Sequence, residues 1–204
     1  MKPIPHGANG HYAYASKTGT IAAALAAGAV LFAFRWTHAT VLAVITRMVV
    51  RFQPNVVFTA AGANLSLAAY VGRSYSASHT GGTAATLTGN NCKRRTSFAT
   101  TKAGDIRIAT TAALGGGTIT VDAQPFKYGG PGRPNWDNAA AGTPFIFNQN
   151  PVGSIDYIPD IDRGEYPLVL AQNEGIVLKN EVVWPAAGTA EVSVEIDWAE
   201  VDAY

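Results

Sequence analysis

Residues 191–201 read EVSVEIDWAEV. Val192, Val194, Ile196 and Trp198 fall on one side, and Glu191, Ser193, Glu195 and Asp197 on the other. A period of two over this length predicts a strand with one face on a core and one in water. Upstream, residues 174–184 (EGIVLKNEVVW) predict a second extended segment, with the stretch PAAGT at 185–189 as the turn between them. A terminal hairpin is therefore expected.

Alternation recurs through the chain. Tyr12 and Tyr14 share a face in 11–15, and Val30, Phe32, Phe34 and Trp36 alternate with Leu31, Ala33 and Arg35. In 41–52, Leu42, Val44, Met48, Val50 and Phe52 are expected on one face, with Arg47 and Arg51 opposite. Leu65, Leu67, Ala69 and Val71 form another set. Short extended pieces are expected at 93–98 and 106–108, and one more strand holds Ile119 and Val121 after the Gly115–Gly117 break. Leu168, Val169 and Leu170 begin a return to the core. Residues 20–27 are rich in alanine, which favours a helix. They lack caps and a charged face, so a strand, a turn near 26–29 and a further strand are expected instead.

Three stretches read as connections. Residues 72–91 are polar and predict an exposed connection or a short edge hairpin. Residues 123–142 (AQPFKYGGPGRPNWDNAAAG) are the longest irregular region, and 150–166 form an acidic loop. Eight to ten strands and no helix predict an all-β chain: an antiparallel β-sandwich in jelly-roll order, with long loops. Residues 1–10, with two Pro and two Gly, are expected as an extended N-terminal arm, and 11–204 as a single domain.

Composition narrows the function. The chain has 204 residues, 48% of them hydrophobic, which suffices for a core. Only 14% are charged, against about 25% in an average soluble protein. A surface so poor in charge favours burial in an assembly. A net charge of +1 points to neither nucleic acid nor an anionic membrane. The apolar run at 21–34 is shorter than the ~20 residues that span a bilayer. No apolar segment follows the N-terminal charge, so no secretory signal is expected, and a soluble location, inside the producing cell or in a particle made there, is expected.

No catalytic constellation emerges, and the chain is not expected to be an enzyme or to hold a cofactor. Cys92 is the single cysteine, so no intrachain disulfide can form; it reads as a small residue at a strand start. His6, His11, His38 and His79 have no metal-ligand spacing. Asp156, Asp160, Asp162 and Glu165 resemble a calcium loop only loosely, lacking the twelve-residue pattern. They read as a solvated loop, or one paired with arginines of a neighbouring subunit. Lys93, Arg94 and Arg95 form the one basic run, read as a solvated edge strand that resists unwanted pairing.

Several short blocks carry a resemblance. They are Gly10–Ala13 (GHYA), 93–98 (KRRTSF), 105–109 (DIRIA), 117–125 (GTITVDAQP), 170–175 (LAQNEG) and 196–201 (IDWAEV). Together they resemble a group of tailed-bacteriophage virion proteins encoded among head genes. That resemblance implies a β-rich cement or decoration protein on the capsid surface. Its partner would be the major capsid protein, bridged between neighbouring subunits, and a homo-oligomer, by analogy a trimer, is expected. Contacts are expected in the arm and loops rather than in a pocket: Ile4, His6, Tyr128, Arg133, Trp136 and Tyr157. Exposed aromatic anchors are typical of interfaces. The alternative is a tail, fibre or adsorption component in which Tyr128, Trp136, Asn135, Asp137 and Asn138 line a shallow carbohydrate site.

Overall fold

The computed structural model of the chain describes residues 9–56, 65–132, 154–160 and 163–203. They form twelve strands and, among the described residues, no α-helix. The strands are β1 (Gly10–Lys17), β2 (Val30–Trp36), β3 (Leu42–Val56), β4 (Leu65–Thr80), β5 (Thr83–Ala84), β6 (Ala103–Ile108), β7 (Gly115–Val121), β8 (Lys127–Gly132), β9 (Ser154–Tyr157), β10 (Leu168–Leu170), β11 (Glu174–Asn180) and β12 (Thr189–Val201).

Two antiparallel sheets pack as a β-sandwich. The first runs β1-β12-β3-β10, with β9 also on β3; the second runs β5-β6-β2-β11-β4-β7, with β8 also on β4. The pairing is nested: β1 with β12, β2 with β11, β3 with β10 and β4 with β7. The core lies between the sheets. Val192, Val194, Ile196 and Trp198 are fully buried, as the alternation predicts. Trp198 stacks on Tyr12 at 5.6 Å and meets the Phe34 ring edge-on at 5.3 Å. Phe32, Phe34, Trp36, Ile106, Ile108, Ile176 and Leu178 line the facing sheet.

Several expectations are corrected. β11 and β12 do not form a hairpin: β11 pairs with β2 and β4 in one sheet, and β12 with β1 and β3 in the other. Residues 181–188 carry the chain from one sheet to the other, with Trp184 buried on the way. Leu42 and Val44 do not share a face with Met48, Val50 and Phe52. A bulge shifts the β3–β12 register between Asp197 and Trp198, so Ile45 lies opposite Trp198 and Arg47 opposite Asp197. One inserted residue reverses every side chain before it. Leu42 and Val44 join Val169, Ala199 and Val201 in a separate apolar cluster.

Residues 20–29 contain the expected turn, closed by Ala29 N–H to Ala26 O, but their only ladder contact is an isolated bridge from Ile21 to Ala190. Apart from an isolated bridge of Lys93 to Tyr12, residues 93–98 are turns and bends rather than a strand. They hold the edge of β1 through Ala13 N–H to Cys92 O and Arg94 N–H to His11 O. Cys92 sits in that turn at φ 63°, not at a strand start. β8 lies within the stretch read as irregular, and β9 within the acidic loop.

The largest difference is at 72–80. These residues continue β4 rather than forming a loop. β5 follows β4 after only Gly81 and Gly82, yet it pairs with β6 on the far side of β11 and β2. That displacement is four strand spacings, about 19 Å, and eight extended residues reach about 26 Å. Residues 73–80, paired with β7, therefore cross the outer face of the second sheet as an arch. Tyr75 N–H meets Asn173 O beside the end of β2 at Trp36, and Leu114 N–H meets Val30 O at the other end. Gly82 stands at φ +59° against Ile108 O and Leu114, where a Cβ has no room. Beneath the arch, Leu31, Ala33 and Val177 are buried although they point away from the main core.

Candidate functional site

The outer face of the first sheet is a lattice of opposite charges. β12 supplies the acids. Lys17 Nζ lies 2.9 Å from Glu191, Arg47 and Arg51 grip the two oxygens of Glu195 at 2.7 and 2.8 Å, and Arg94 reaches Asp197 at 2.8 Å. Arg47 holds the Glu195 carboxyl below its ordinary range, with Arg51 helping, and Lys17 does the same for Glu191 with Asn55 and Thr20. Cross-strand pairs of opposite charge support register. With these charges engaged on one another, the face offers little unpaired charge to a ligand. Arg94 of the basic run thus belongs to this lattice.

Under the arch lies a second constellation. Tyr75 and His79 are almost fully buried, and the phenol oxygen lies 2.5 Å from His79 Nδ1. Burial raises the Tyr75 pKa, and burial with the nearby Lys179 ammonium lowers that of His79. Both groups are therefore neutral near pH 7, the phenol donates to Nδ1, and the imidazole proton is assigned to Nε2. Arg35 straps the arch to β2, donating to Tyr75 O at 2.8 Å, Ser76 O at 2.7 Å and Ser78 Oγ at 3.2 Å. Arg107 donates to Gly81 O and pairs with Asp105. Both side chains are shut away from water, and the imidazole Nδ1 is engaged by the Tyr75 phenol.

A third constellation surrounds Glu200. The residue is fully buried, and its Oε1 accepts from Thr101 Oγ1 at 2.6 Å, Lys102 N at 2.9 Å and Trp198 Nε1 at 3.3 Å. Oε2 has no hydrogen-bond partner. Burial pushes the carboxyl pKa up, opposed by these three donors. Next to it, burial and the Glu200 charge push Tyr12 up to about 12. The one proton of the Tyr12 hydroxyl is shared between Asn9 O and Ala99 O, and Asn9 Nδ2 donates to Asp202. The group anchors the start of β1 and the 99–102 segment.

β8 and β9 lie side by side, and the Phe126 and Tyr157 rings meet at 5.4 Å. Among the described residues the exposed large apolar side chains are Val56, Tyr128, Ile158, Tyr166 and Val183; Tyr128 lies on β8, Ile158 follows β9 and Tyr166 precedes β10. Tyr128 also neighbours Tyr70, whose hydroxyl donates to Glu181 at 2.9 Å and whose ring lies under Lys179. Burial, with Glu181 and Tyr128 nearby, pushes Tyr70 up to about 12.

Of the residues singled out from the sequence, Tyr128 is 60% exposed and lies beside the Tyr70 hydroxyl. Tyr157 is not an exposed anchor: it is half-buried, and its hydroxyl accepts the Leu168 N–H at 2.5 Å. Ile4, His6, Arg133 and Trp136 lie outside the described residues, as do Asn135, Asp137 and Asn138. The structure does not bring the described histidines together: His11 meets Thr46, His38 accepts from Val41 N–H, and His79 meets Tyr75. No metal-binding group of His, Cys, Asp or Glu occurs among the described residues. In the acidic loop, Asp160 pairs with this chain's own Arg163 at 3.2 Å and caps its N–H. Burial raises the Cys92 thiol, the opposite of an activated thiolate. Ile158 and Tyr166 were not singled out, although both are large apolar residues in a stretch with no strand period to demand them. Compared with known proteins, the chain matches no family model, no curated protein and no solved structure.

Proposed function

We propose that the chain is a structural virion protein that cements or decorates a bacteriophage head by bridging major capsid subunits. The observation that carries this is the distribution of surface types. Charges on the broad face of the first sheet pair with one another, while Tyr128 on β8, Ile158 after β9 and Tyr166 before β10 stand exposed. Aromatic and aliphatic anchors of this kind fit a protein partner. The nested strand order is the one obtained by rolling up four antiparallel strand pairs, so the sandwich is read as a jelly roll, an architecture used by capsid proteins and by others. Many copies acting together on a shell make weak single contacts sufficient. Binding only the intact shell then stabilises it by mass action.

The test adds purified chain to heads that lack it and measures occupancy and the temperature at which heads release DNA. Saturable binding and a raised release temperature are expected. Tyr128→Ala with Tyr166→Ala should weaken binding about tenfold or more, roughly 1.4 kcal/mol, while leaving the fold intact. Absence of binding to heads refutes the assignment.

The second reading, a tail or adsorption component that binds carbohydrate, is favoured by one detail: the exposed Tyr128 ring beside the Tyr70 hydroxyl and the Glu181 carboxylate. Location in the tail together with glycan binding lost in Tyr128→Ala selects it.

A further inference from the structure

We propose that the arch formed by residues 73–80 and the paired β7 is an acid-released cover. It is closed over the outer face of the second sheet when His79 is neutral and opens when His79 is protonated. The arch is joined to the sandwich differently from the other strands. Beyond Gly72, which lies opposite Gly175 of β11, the β4 ladder continues only with β7. What holds this part down is a small set of contacts. Arg35 donates to the arch backbone and to Ser78, and Tyr75 N–H reaches Asn173 O. The Tyr75 ring packs on Gly175 of β11, where a Cβ would collide with it, while His79 packs on Gly117 of β7 within the arch itself. Tyr75 and His79 are the inward side chains, while Ser76 and Ala77 face solvent.

His79 is therefore the buried titratable group at the centre of the contact. Its hydrogen-bond partner is Tyr75 on its own strand; Lys179 on β11 disfavours its charge and Asp105 on β6 favours it, while Arg35 on β2 and Arg107 on β6 act on Tyr75. Asp105 already pairs with Arg107 at 2.7 Å. Nδ1 accepts from the Tyr75 phenol, which must turn its proton away and accept instead once the imidazole is charged. A charged imidazole thus forces its partner to re-aim, stands buried with the Lys179 ammonium nearby and is shielded from water. Opening the arch restores hydration. The lowered His79 pKa has the same sign: stability is present above the ordinary histidine pKa of about 6.5 and is lost as pH falls toward the depressed value.

Opening exposes the apolar floor of Leu31, Ala33 and Val177, together with the Tyr75 ring. The two sheets and their core need not separate. Glu200 lies on the other sheet and has a raised pKa, so acid neutralises it and does not weaken that part of the fold. Between pH 7.5 and 5.0, above the range where Glu191 and Glu195 of the first sheet take up protons, acidification therefore acts chiefly on one layer of the protein.

Hydrogen exchange of the full chain, followed by mass spectrometry from pH 7.5 to 5.0 and corrected for the intrinsic rate at each pH, tests this. Peptides covering 73–80 and 115–120 should show an opening constant that rises by up to about 30-fold over that range. Peptides from β12 should show no such rise. His79→Gln, which cannot take up the proton, should flatten the profile. Tyr75→Phe should open the arch more at pH 7.5 and retain the dependence on pH. A flat wild-type profile, an equal rise in β12, or a rise that survives in His79→Gln overturns the proposal. The wild-type measurement decides even if a variant fails to fold.

Discussion

Replacing Trp198 by alanine removes the centre of the aromatic core. The indole is fully buried, stacks on Tyr12 at 5.6 Å, touches the Phe34 ring edge at 5.3 Å, and donates its N–H to Glu200. Deleting a buried Trp or Phe side chain costs about 3–5 kcal/mol. Each aromatic pair contributes about 0.5–1.5 kcal/mol beyond its area, and part of that is already contained in the first figure. Glu200 would keep two of its three donors, so no acceptor atom becomes newly orphaned. A loss of about 5 kcal/mol follows, which is comparable with the whole stability of many domains, about 5–15 kcal/mol. Equilibrium urea unfolding, read by far-ultraviolet circular dichroism, should move the midpoint down by about 2 M at a slope of about 2.5 kcal/mol per M. Trp198→Phe keeps most of the ring contact and should lose less than half as much. A loss below about 2 kcal/mol for Trp198→Ala would refute the placement of this residue at the centre of the core.

Other outcomes follow from the same geometry. Glu195→Gln should cost about 0.5 kcal/mol at low salt and less at high salt, because the Arg47 and Arg51 pairs are partly solvated. The Glu195 contribution is present above the ordinary carboxylate pKa and lost on acidification, so the gap between wild type and variant should close below about pH 4 in denaturant titrations. Glu200 has the opposite sign: its raised pKa adds stability at low pH that is lost as pH rises through the folded value. Glu200→Gln should therefore gain on wild type between pH 5 and pH 8, and a constant difference would contradict this. Gly82→Ala should cost more than about 2 kcal/mol, since its Cβ meets Ile108 O and Leu114 in a left-handed backbone, and a thermal melt will register the loss.

The strands legible from sequence were those whose alternation runs unbroken into one core. β12 is the clearest example, because its inward side chains are apolar and its outward ones are polar; on β2 the large Phe32, Phe34 and Trp36 mark the inward face even though Leu31, on the other face, is also buried. Local pattern carries no record of which sheet a strand joins, so adjacency in sequence suggested a β11–β12 hairpin where the chain changes sheets. A bulge is equally silent: Leu42, Val44 and Met48 keep their parity in sequence while the backbone reverses the first two. Residues 73–80 read as a connection because an arch with water on one side needs few apolar residues. Tyr75 and His79, four apart across a register shift, do not show a period of two as a pair of anchors. Tyr128 was legible as an exposed aromatic in a glycine-rich frame. Tyr157 was not, since its engagement depends on Phe126 and Leu168, both distant along the chain.

Nested pairing also sets the order in which the protein can be made. Gly10 faces Glu200 across the β1–β12 ladder, and β12 is an interior strand, flanked by β1 and β3. Closing so long a loop carries an entropic term of roughly 4–5 kcal/mol before any contact across it is rewarded. Until β12 arrives, β1 has no ladder partner and β3 has one side bare, each presenting unpaired backbone to other chains. Folding dominated by such distant pairings is slow and passes through states prone to aggregation. Synthesis therefore leaves a nascent chain whose first strand must wait for its last, and yield of soluble protein should depend on temperature and chain concentration during that interval.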